Sequence, residues 1–426
     1  MSHLTSELHD SGLLKNAEYL GALAPASKCE PLGRAAVMKA MESAAFPGGR
    51  AHPVFDLVNP GESVCIVVSD QTRRTAADLV LPVLFEGLRA RGCSLRDMFI
   101  LVASGIHRHP DTAELEHIVG PAIMEAFEGR IYRHDPDNIS ELASAGRLRS
   151  GREVFIHRRA LEADRLILTG AACYHYHAGF GGGRKSIVPG IAARETIAFT
   201  HSLTLDPAAD ALRPGVEIGV LEGNPVAAAM LECARLCPPD FIVNTVVAPD
   251  GALAGVFAGE MDSAHRAACG LVEKICRADI AEEADFAIAS AGTASNWIQA
   301  HKAFFNAHRA VHARGRVILQ AKCPEGVGNE RFRFWVRKKS PAQICAGLRA
   351  SPEVLGQTAL STVARAPRTV LVTGMSAADA ADLGMRSAPS VEEALRIVLD
   401  DLHSCGIVRP KYYVLPDAMY VVPFRR

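Results

Sequence analysis

Two histidines, a glycine run and a lysine stand together in residues 175–190, HYHAGFGGGRKSIVPG. A glycine-rich loop that ends in lysine is typical of a phosphate-binding site, because glycine lets the backbone approach a ligand closely. The stretch is not a P-loop, since that motif requires glycine directly before the lysine and Arg184 stands there. It also lacks the GxGxxG pattern. Two interpretations stay open: Arg184 and Lys185 both bind phosphate, or Arg184 lowers the pKa of the Lys185 amine by like-charge repulsion and favours its use as a nucleophile.

Further histidines near this stretch are candidates for proton transfer or metal binding. His107 lies in the segment SGIHRHP at 104–110, just after an apolar run and a glycine. Its unperturbed pKa of about 6.5 suits proton transfer near neutral pH, although an exposed loop histidine is the alternative. A metal site could use His175, His177 and His201, but their spacing matches neither a zinc finger nor HExxH.

A third cluster, SDQTRR at 69–74, follows the apolar run SVCIVV and precedes a helical pattern. A strand that ends at the N-terminus of a helix provides a good anion site. Asp70 alone is equally well explained as a helix N-cap, but Asp70, Thr72 and Arg73 together favour a functional site.

A fourth cluster, SNWIQAHK at 295–302, follows the apolar run FAIAS. Gln299 and Lys302 are three positions apart, so they share one face if the segment is helical. That face either binds a carboxylate or is simply solvated.

The elements that must position these clusters alternate between short apolar runs and helical patterns, which predicts an α/β fold. In such folds, ligands bind at the carboxyl ends of the strands, which is where the four clusters lie. The predicted strands are 63–68, 98–103, 165–169, 241–247, 286–289, 317–320 and 369–372.

The length of 426 residues, 49% of them hydrophobic, favours two domains. We predict an N-terminal cofactor-binding α/β domain at 1–277 and a C-terminal α/β domain at 278–408. The strand-like segment 409–426 could return to the N-terminal domain. If Lys302 belongs to the second domain, the active site would lie in a cleft between the two.

Composition excludes several classes of partner. The net charge of −1 gives no basic surplus for nucleic acid, and no apolar run approaches the length that spans a membrane. The eleven cysteines lack disulfide-framework spacing and the first residues are polar, which predicts a cytoplasmic protein with reduced thiols. The sequence carries no signal for the oligomeric state.

Taken in order, SDQTR, GIHR, HYHAGFGGGRKSIVPG and QAHK resemble the nickel-pincer (lactate racemase-like) family of 2-hydroxy acid racemases and epimerases. The resemblance extends over most of the chain. It implies an isomerase that works by proton-coupled hydride transfer through a 2-keto intermediate. The implied cofactors are nickel and pyridinium-3,5-bisthiocarboxylic acid mononucleotide, which cofactor-biosynthesis enzymes would supply.

The resemblance also implies a role for each matching residue. The implied roles are catalytic acid/base for His107 and His175, nickel ligand for His201, cofactor tether for Lys185, other cofactor contacts for Asp70, Thr72, Gly182, Gly183 and Arg184, and substrate contacts for Arg73, Ile298, Gln299 and Lys302.

The sequence departs from the family pattern near the implied substrate side. Ile298 replaces a typical tyrosine, and His177 and His301 add imidazoles. These differences predict a substrate with more polar groups than lactate. Trp335 lies in a different local context from the family's site tryptophan. The alternatives are a non-catalytic nickel- or cofactor-binding protein and a nucleotide-dependent oxidoreductase that uses the glycine loop.

Overall fold

The computed structural model describes residues 12–25, 29–49 and 51–426. The chain divides into two compact units. The larger unit comprises Lys28–Thr204 and Arg213–Glu273, and the smaller unit comprises Met1–Ser27, Leu205–Leu212 and Lys274–Arg426.

Strands are numbered along the described part of the chain. They are β1 Glu18–Ala22, β2 Ala44–Ala45, β3 Ala51–His52, β4 Val64–Ser69, β5 Met98–Ala103, β6 Ile131–Arg133, β7 Leu142–Arg147, β8 Glu153–His157, β9 Arg165–Ala171, β10 Tyr174–His175, β11 Gly179–Phe180, β12 Phe241–Val247, β13 Leu253–Gly259, β14 Arg277–Ile280, β15 Ala284–Ser290, β16 Val311–Ala321, β17 Thr369–Thr373, β18 Arg386–Ala388, β19 Lys411–Leu415 and β20 Val422–Arg425.

The α-helices are numbered in the same way. They are α1 Arg34–Glu42, α2 Ala77–Ala90, α3 Thr112–Val119, α4 Pro121–Ala126, α5 Arg158–Glu162, α6 Arg194–Ser202, α7 Pro225–Arg235, α8 Met261–Cys276, α9 Trp297–Ala307, α10 Glu330–Val336, α11 Pro341–Ala350, α12 Val354–Arg365, α13 Ala377–Leu383 and α14 Val391–Ser404. Short 3-10 turns occur at Val54–Leu57, Leu95–Asp97, Ile139–Glu141, Gly183–Ser186 and Ala366–Arg368.

The main sheet of the larger unit has the strand order β3-β2-β13-β12-β9-β4-β5-β6. Strands β12, β9, β4, β5 and β6 run parallel, and β13 is antiparallel to β12. The sequence of β4, VCIVVS, is buried over its first five residues. Parallel strands read as continuous apolar runs because helices cover both of their faces. The predicted α/β fold is therefore confirmed.

The order of this sheet reverses at β4. The chain passes from β4 to β5 and β6 on one side, and later forms β9 and β12 on the other. Such a reversal is a topological switch point, and ligands of open α/β sheets bind outside the carboxyl ends of the strands there. The ends of β4, β5 and β9 are therefore the places to look for a site.

The sheet of the smaller unit has the order β1-β19-β15-β16-β17-β18, and its neighbouring strands are parallel. Apolar side chains cover both of its faces. One cluster contains Trp297, Phe304 and Leu319, and the other contains Phe286 and Tyr412.

The two termini do not follow the predicted division into 1–277, 278–408 and 409–426. Strand β19 lies beside β15 in the sheet of the smaller unit, and β1 pairs with the outer side of β19. The contacts are apolar: the ring of Tyr412 lies 5.0 Å from that of Phe286 and 5.2 Å from that of Tyr19. The C-terminal segment thus completes the smaller unit, and β1 belongs with it.

Within the described part of the chain, no helix is both long and apolar enough to cross a membrane.

Candidate active site

Three neighbouring strands of the larger unit end in polar side chains. Asp70 directly follows β4, His107 lies four residues after β5, and His175 lies four residues after β9. Because β9, β4 and β5 are adjacent in the sheet, these side chains leave it at the same edge. The structure therefore assembles three of the predicted site residues at the switch point.

Asp70 and His107 are joined by a hydrogen bond. His107 Nδ1 lies 2.6 Å from Asp70 Oδ2, and the other carboxylate oxygen accepts the Thr72 hydroxyl at 2.6 Å and the Thr72 N–H at 3.0 Å. Burial raises the pKa of Asp70, but the hydrogen bonds from His107 and Thr72 outweigh it and hold that pKa below its usual value. An ionised Asp70 keeps the ring proton of His107 on Nδ1, so Nε2 is left as the nitrogen that can accept a proton. The predicted cofactor contacts of Asp70 and Thr72 stay predictions, since both side chains contact His107 or each other here.

His175 is held in the opposite tautomer from His107, because its Nδ1 accepts hydrogen bonds where that of His107 donates one. It lies on β10, which pairs with β11 in a short hairpin, and its Nδ1 accepts the backbone N–H groups of His177 at 3.2 Å and Ala178 at 3.1 Å. Burial lowers the pKa of His175 well below its usual value, and the positive charge of Lys185 lowers it further. The ring is therefore neutral at pH 7, with its single proton on Nε2.

Lys185 lies in the 3-10 turn Gly183–Ser186, and its amine is unusually easy to deprotonate. Burial, followed by the positive charge of Arg73, lowers its pKa to about 7. A neutral amine is the nucleophilic form of lysine. The predicted direction of the shift is right, but the predicted cause is not the main one: Arg184 contributes less than burial and Arg73.

The glycines and the arginine beside Lys185 are packed against protein. A Cβ added to Gly182 would lie 2.5 Å from Asn244 Oδ1 on β12, and one added to Gly183 would lie 2.7 Å from the ring of His265 on α8. The side chain of Arg184 is 3% exposed, and its guanidinium lies 3.2 Å from His265 Nδ1. The loop thus needs these glycines for close packing on β12 and α8. A cofactor contact by Gly182, Gly183 or Arg184 stays a prediction.

His201 is a buried histidine whose ring is oriented by the backbone. It is buried on α6, and its Nδ1 donates to the carbonyl of Ile197 at 2.8 Å. Burial and the charge of Lys185 lower its pKa to about 4, so the ring is neutral and Nε2 carries the lone pair. A backbone acceptor on one ring nitrogen is the usual support for a histidine whose other nitrogen binds a metal.

A metal site with three protein ligands does not form in the part of the chain that the structure describes. No group of three or more His, Cys, Asp or Glu side chains is arranged to hold a metal ion among residues 12–25, 29–49 and 51–426. The alternative metal site of His175, His177 and His201 is therefore not supported. His177 is packed inside the hairpin: it is 2% exposed, its ring lies edge-on to Tyr176, and its carbonyl accepts from Asn224.

The remaining predicted residues lie in the smaller unit, on α9. Gln299 and Lys302 are exposed, as a shared helix face requires, and Ile298 packs partly against the core. His301 is fully buried, and its Nε2 lies 3.0 Å from the Ser361 hydroxyl. Burial and the charge of Arg365 lower its pKa to about 3. The ring of His301 therefore lies in the interior of the smaller unit, and a role for it in the site stays a prediction.

A polar pocket of about 240 Å³ opens beside His107. Its charged walls are internally paired: Arg194 binds both oxygens of Asp137 at 2.6 Å, and Arg108 binds Glu114. The lining residues are Ile106, His107, Arg108, His109, Asp135, Pro136, Asp137 and Arg194.

Two contributors to the site carry no signal in the sequence. Asn244 and His265 lie within a strand and a helix that are distant in sequence from the glycine loop, and only the folded chain brings them to it.

The chain resembles lactate racemases in sequence. Residues 14–211 match the family described as the lactate racemase N-terminal domain. The chain is 29% identical over 378 residues to the lactate racemase of Thermoanaerobacterium thermosaccharolyticum, and the match covers 86% of each protein. It is 33% identical over 280 residues to the lactate racemase of Lactiplantibacillus plantarum, a match that covers 65% of this chain and 64% of that protein.

Solved structures agree with this similarity. A crystal structure of a Thermotoga maritima protein, 17% identical, has a TM-score of 0.67 over 94% of this chain and 100% of that one, which shows a shared fold alone. The lactate racemase apoprotein from Thermoanaerobacterium thermosaccharolyticum is 26% identical and has a TM-score of 0.83, with 96% of both chains covered. Sequence and fold therefore agree over nearly the whole length, and the chain is similar throughout to lactate racemases.

Proposed function

We propose that this protein is a racemase or epimerase of a 2-hydroxy acid in which His107 and His175 transfer the proton of the substrate hydroxyl. The observation that carries the proposal is the arrangement of these two imidazoles. They follow β5 and β9, the two neighbours of β4, and each ring is fixed through its Nδ1. The two enantiomers place the hydroxyl on different sides of the site. One acid/base on each side can therefore exchange a proton with the hydroxyl of each enantiomer.

The cofactor that the family implies, nickel with pyridinium-3,5-bisthiocarboxylic acid mononucleotide, fits the donors that the larger unit offers. Lys185, with its pKa near 7, would hold the nucleotide as a covalent tether. His201, with its tautomer fixed by Ile197, would bind the nickel. When bound, this cofactor would accept the hydride from C2 of the hydroxy acid and return it.

His107 is the residue prepared to take a proton. Its Nε2 carries the lone pair, and the Asp70 carboxylate, 2.6 Å from Nδ1, stabilises the imidazolium that forms. Charge-assisted hydrogen bonds of this kind are about twice as strong as neutral ones. His107 therefore serves as the base for one enantiomer without rearrangement.

His175 must change its hydrogen bonds before it transfers a proton. To accept a proton at Nε2, the ring needs its single proton on Nδ1, and to donate one from Nε2 it needs protons on both nitrogens. Both states are blocked here, because Nδ1 accepts from the N–H groups of His177 and Ala178. Catalysis by His175 therefore requires the ring and the 177–178 backbone to separate. Until they separate, the Nε2–H group of His175 donates a hydrogen bond to a substrate oxygen.

Arg73 is the proposed partner of the substrate carboxylate in the larger unit. It is exposed, and its charge lowers the pKa of both His175 and Lys185, so it lies within electrostatic range of the two. A guanidinium binds a carboxylate through two parallel hydrogen bonds. Gln299 and Lys302, exposed on α9, are the proposed substrate contacts of the smaller unit.

The pocket beside His107 supports a substrate larger and more polar than lactate. Its lining includes two arginines, two aspartates and two histidines, which offer several hydrogen-bond donors and acceptors. Its volume of about 240 Å³ corresponds to roughly eight water molecules. The polar lining and this volume favour a substrate with uncharged hydroxyl groups beyond C2 over one with a second carboxylate or an aromatic ring.

A racemisation screen tests this function. The protein, produced together with cofactor-making enzymes, is incubated with single enantiomers of lactate, a 2-hydroxy dicarboxylate, an aromatic 2-hydroxy acid and polyhydroxylated 2-hydroxy acids. Chiral chromatography then measures inversion at C2. We expect inversion, fastest for a polyhydroxylated acid. A nickel-loaded protein that inverts none of them would be a non-catalytic binder, which would contradict the proposal.

A further inference from the structure

His265 is a buried histidine whose two ring nitrogens both contact the loop that carries Lys185. It lies on α8 and is 0% exposed. Its Nε2 donates to the carbonyl of Gly181 at 2.8 Å, and its Nδ1 accepts from the guanidinium of Arg184 at 3.2 Å. One side chain thus holds the loop on both sides of Gly183, directly before the lysine.

The protonation of His265 matches this double contact. Burial and the neighbouring charge of Arg184 lower its pKa to about 4, so the ring is neutral and carries one proton. That proton must be on Nε2, because Nδ1 accepts from Arg184. Both hydrogen bonds are therefore directional and persist at neutral pH.

The shape of the loop also depends on this ring. Gly183 has a φ of +54°, and a Cβ there would lie 2.7 Å from the His265 ring. The N–H of Gly183 donates to Asn244 Oδ1 at 2.9 Å. The His265 ring therefore occupies the space where a side chain at Gly183 would lie. A second element, β12, contacts Gly183 through Asn244.

Arg184 is anchored to the same helix as His265. Its guanidinium lies 4.0 Å from Asp262, which in turn accepts from Arg266 at 2.7 Å. A buried guanidinium with this carboxylate as its charged partner is costly to move, because separating the pair would leave a charge uncompensated in the interior.

We infer that His265 and Arg184 form a latch, defined as the chain of contacts Gly181 O–His265–Arg184, that fixes the position from which Lys185 presents its amine. A loop with glycine at 179, 181, 182 and 183 has little rigidity of its own. A nucleophile displaced by about 1 Å loses on the order of a hundredfold in rate, so a loop that carries one needs an external support. His265 and Arg184 are positioning residues, since they act through Lys185. The role assigned to Lys185 rests on the proposed function, whereas the latch itself does not.

The latch is tested first on protein made without cofactor-making enzymes. His265→Leu removes both hydrogen bonds, whereas the His265→Gln amide can donate to Gly181 and accept from Arg184. His134→Leu is the matched control, because His134 is equally buried in the same unit, also has a pKa of about 4, and contacts the carbonyl of Ala192 at 3.0 Å. The measurement is amide hydrogen exchange in peptides that cover residues 179–187.

We expect exchange in that segment to become roughly thirtyfold faster in His265→Leu, the effect of losing two buried hydrogen bonds of ordinary net strength. It should return toward the wild-type rate in His265→Gln and stay unchanged in His134→Leu. Unchanged exchange in His265→Leu would overturn the latch. If that variant does not fold, Arg184→Met, which breaks half of the chain of contacts, gives the same readout.

The second measurement is the intact mass of the same variants after co-production with cofactor-making enzymes. We expect the fraction with an adduct on Lys185 to fall several-fold in His265→Leu and to recover in His265→Gln. A full adduct on a loosened loop would overturn the positioning role. A wild-type protein without any adduct would instead overturn the cofactor proposal, and the exchange data would still decide whether the latch exists.

Discussion

The Asp70 carboxylate lies 2.6 Å from Nδ1 of His107 and is held there by the hydroxyl and N–H of Thr72. The pair joins the carboxyl ends of two adjacent parallel strands, β4 and β5. A mostly buried acid thus orients a half-exposed histidine, with side-chain exposures of 3% and 44%. This relationship leaves Nε2 as the nitrogen of His107 that can accept a proton.

Replacing the acid should therefore impair proton transfer more than folding. In Asp70→Asn the amide no longer stabilises the imidazolium that forms on His107, so we expect the racemisation rate to fall about a hundredfold. The melting temperature should change little, since the amide keeps much of the hydrogen bonding. Asp56→Asn, which alters a surface ion pair with Arg91, is the control. Equal rates for Asp70→Asn and the wild type would show that His107 does not depend on this carboxylate.

Lys185 should make stability depend on pH. Its pKa is about 7 in the folded protein against an ordinary value of 10.5, so between these values the unfolded chain binds the proton and the folded protein does not. Stability therefore rises with pH across this window, and the cost of burying the charge is greatest below pH 7. Lys185→Met removes that cost, so it should raise the melting temperature more at pH 6 than at pH 10.

Thermal unfolding of protein without cofactor measures this effect at both pH values. Lys411→Met is the control, because its ion pair with Glu282 raises the pKa of that lysine instead. An equal gain for Lys185→Met at both pH values would mean that Lys185 is not deprotonated near neutrality.

His201 should control nickel and leave the tether intact. In His201→Ala we expect the nickel content to fall at least tenfold, because the proposed protein ligand is lost, while the covalent mass on Lys185 remains. Metal analysis and intact mass spectrometry on one sample separate the two. The control is His312→Ala, a histidine of the smaller unit that pairs with Asp285. Full nickel content in His201→Ala would exclude this residue as the ligand.

Hydride transfer predicts the fate of the hydrogen at C2. If a substrate with deuterium at C2 is racemised in ordinary water, the inverted product should keep its deuterium, since a hydride held within the site does not mix with solvent protons. Mass spectrometry of both enantiomers measures this retention. Extensive exchange with solvent would indicate deprotonation at carbon instead.

The sequence predicted the strands and the clusters that follow them, because buried parallel strands are continuous apolar runs and their carboxyl ends must carry any site. Which strands pair with one another was harder to predict from the sequence. The pairing of β1 with β19 depends on contacts such as Tyr19 with Tyr412, which no local pattern encodes. The pKa of Lys185 moved in the predicted direction, but burial, its main cause, is a tertiary property.

The burial of His301 on α9 was predictable from its spacing. Trp297, Ala300, His301 and Phe304 follow the i, i+3, i+4, i+7 spacing of an apolar face, so His301 belongs to the core by position, whereas Gln299 and Lys302 lie on the other side. His265, by contrast, could not have been linked to the glycine loop, since nothing in its own segment indicates which loop α8 will meet.

Racemisation by His107→Ala and His175→Ala, each produced with the cofactor, tests the central claim most directly. Chiral chromatography gives the rate of inversion, and metal analysis of the same samples gives the nickel content. We predict that each variant loses racemisation while it keeps its nickel, because neither ring is the proposed metal ligand. Full activity in either nickel-loaded variant would contradict the two-histidine mechanism.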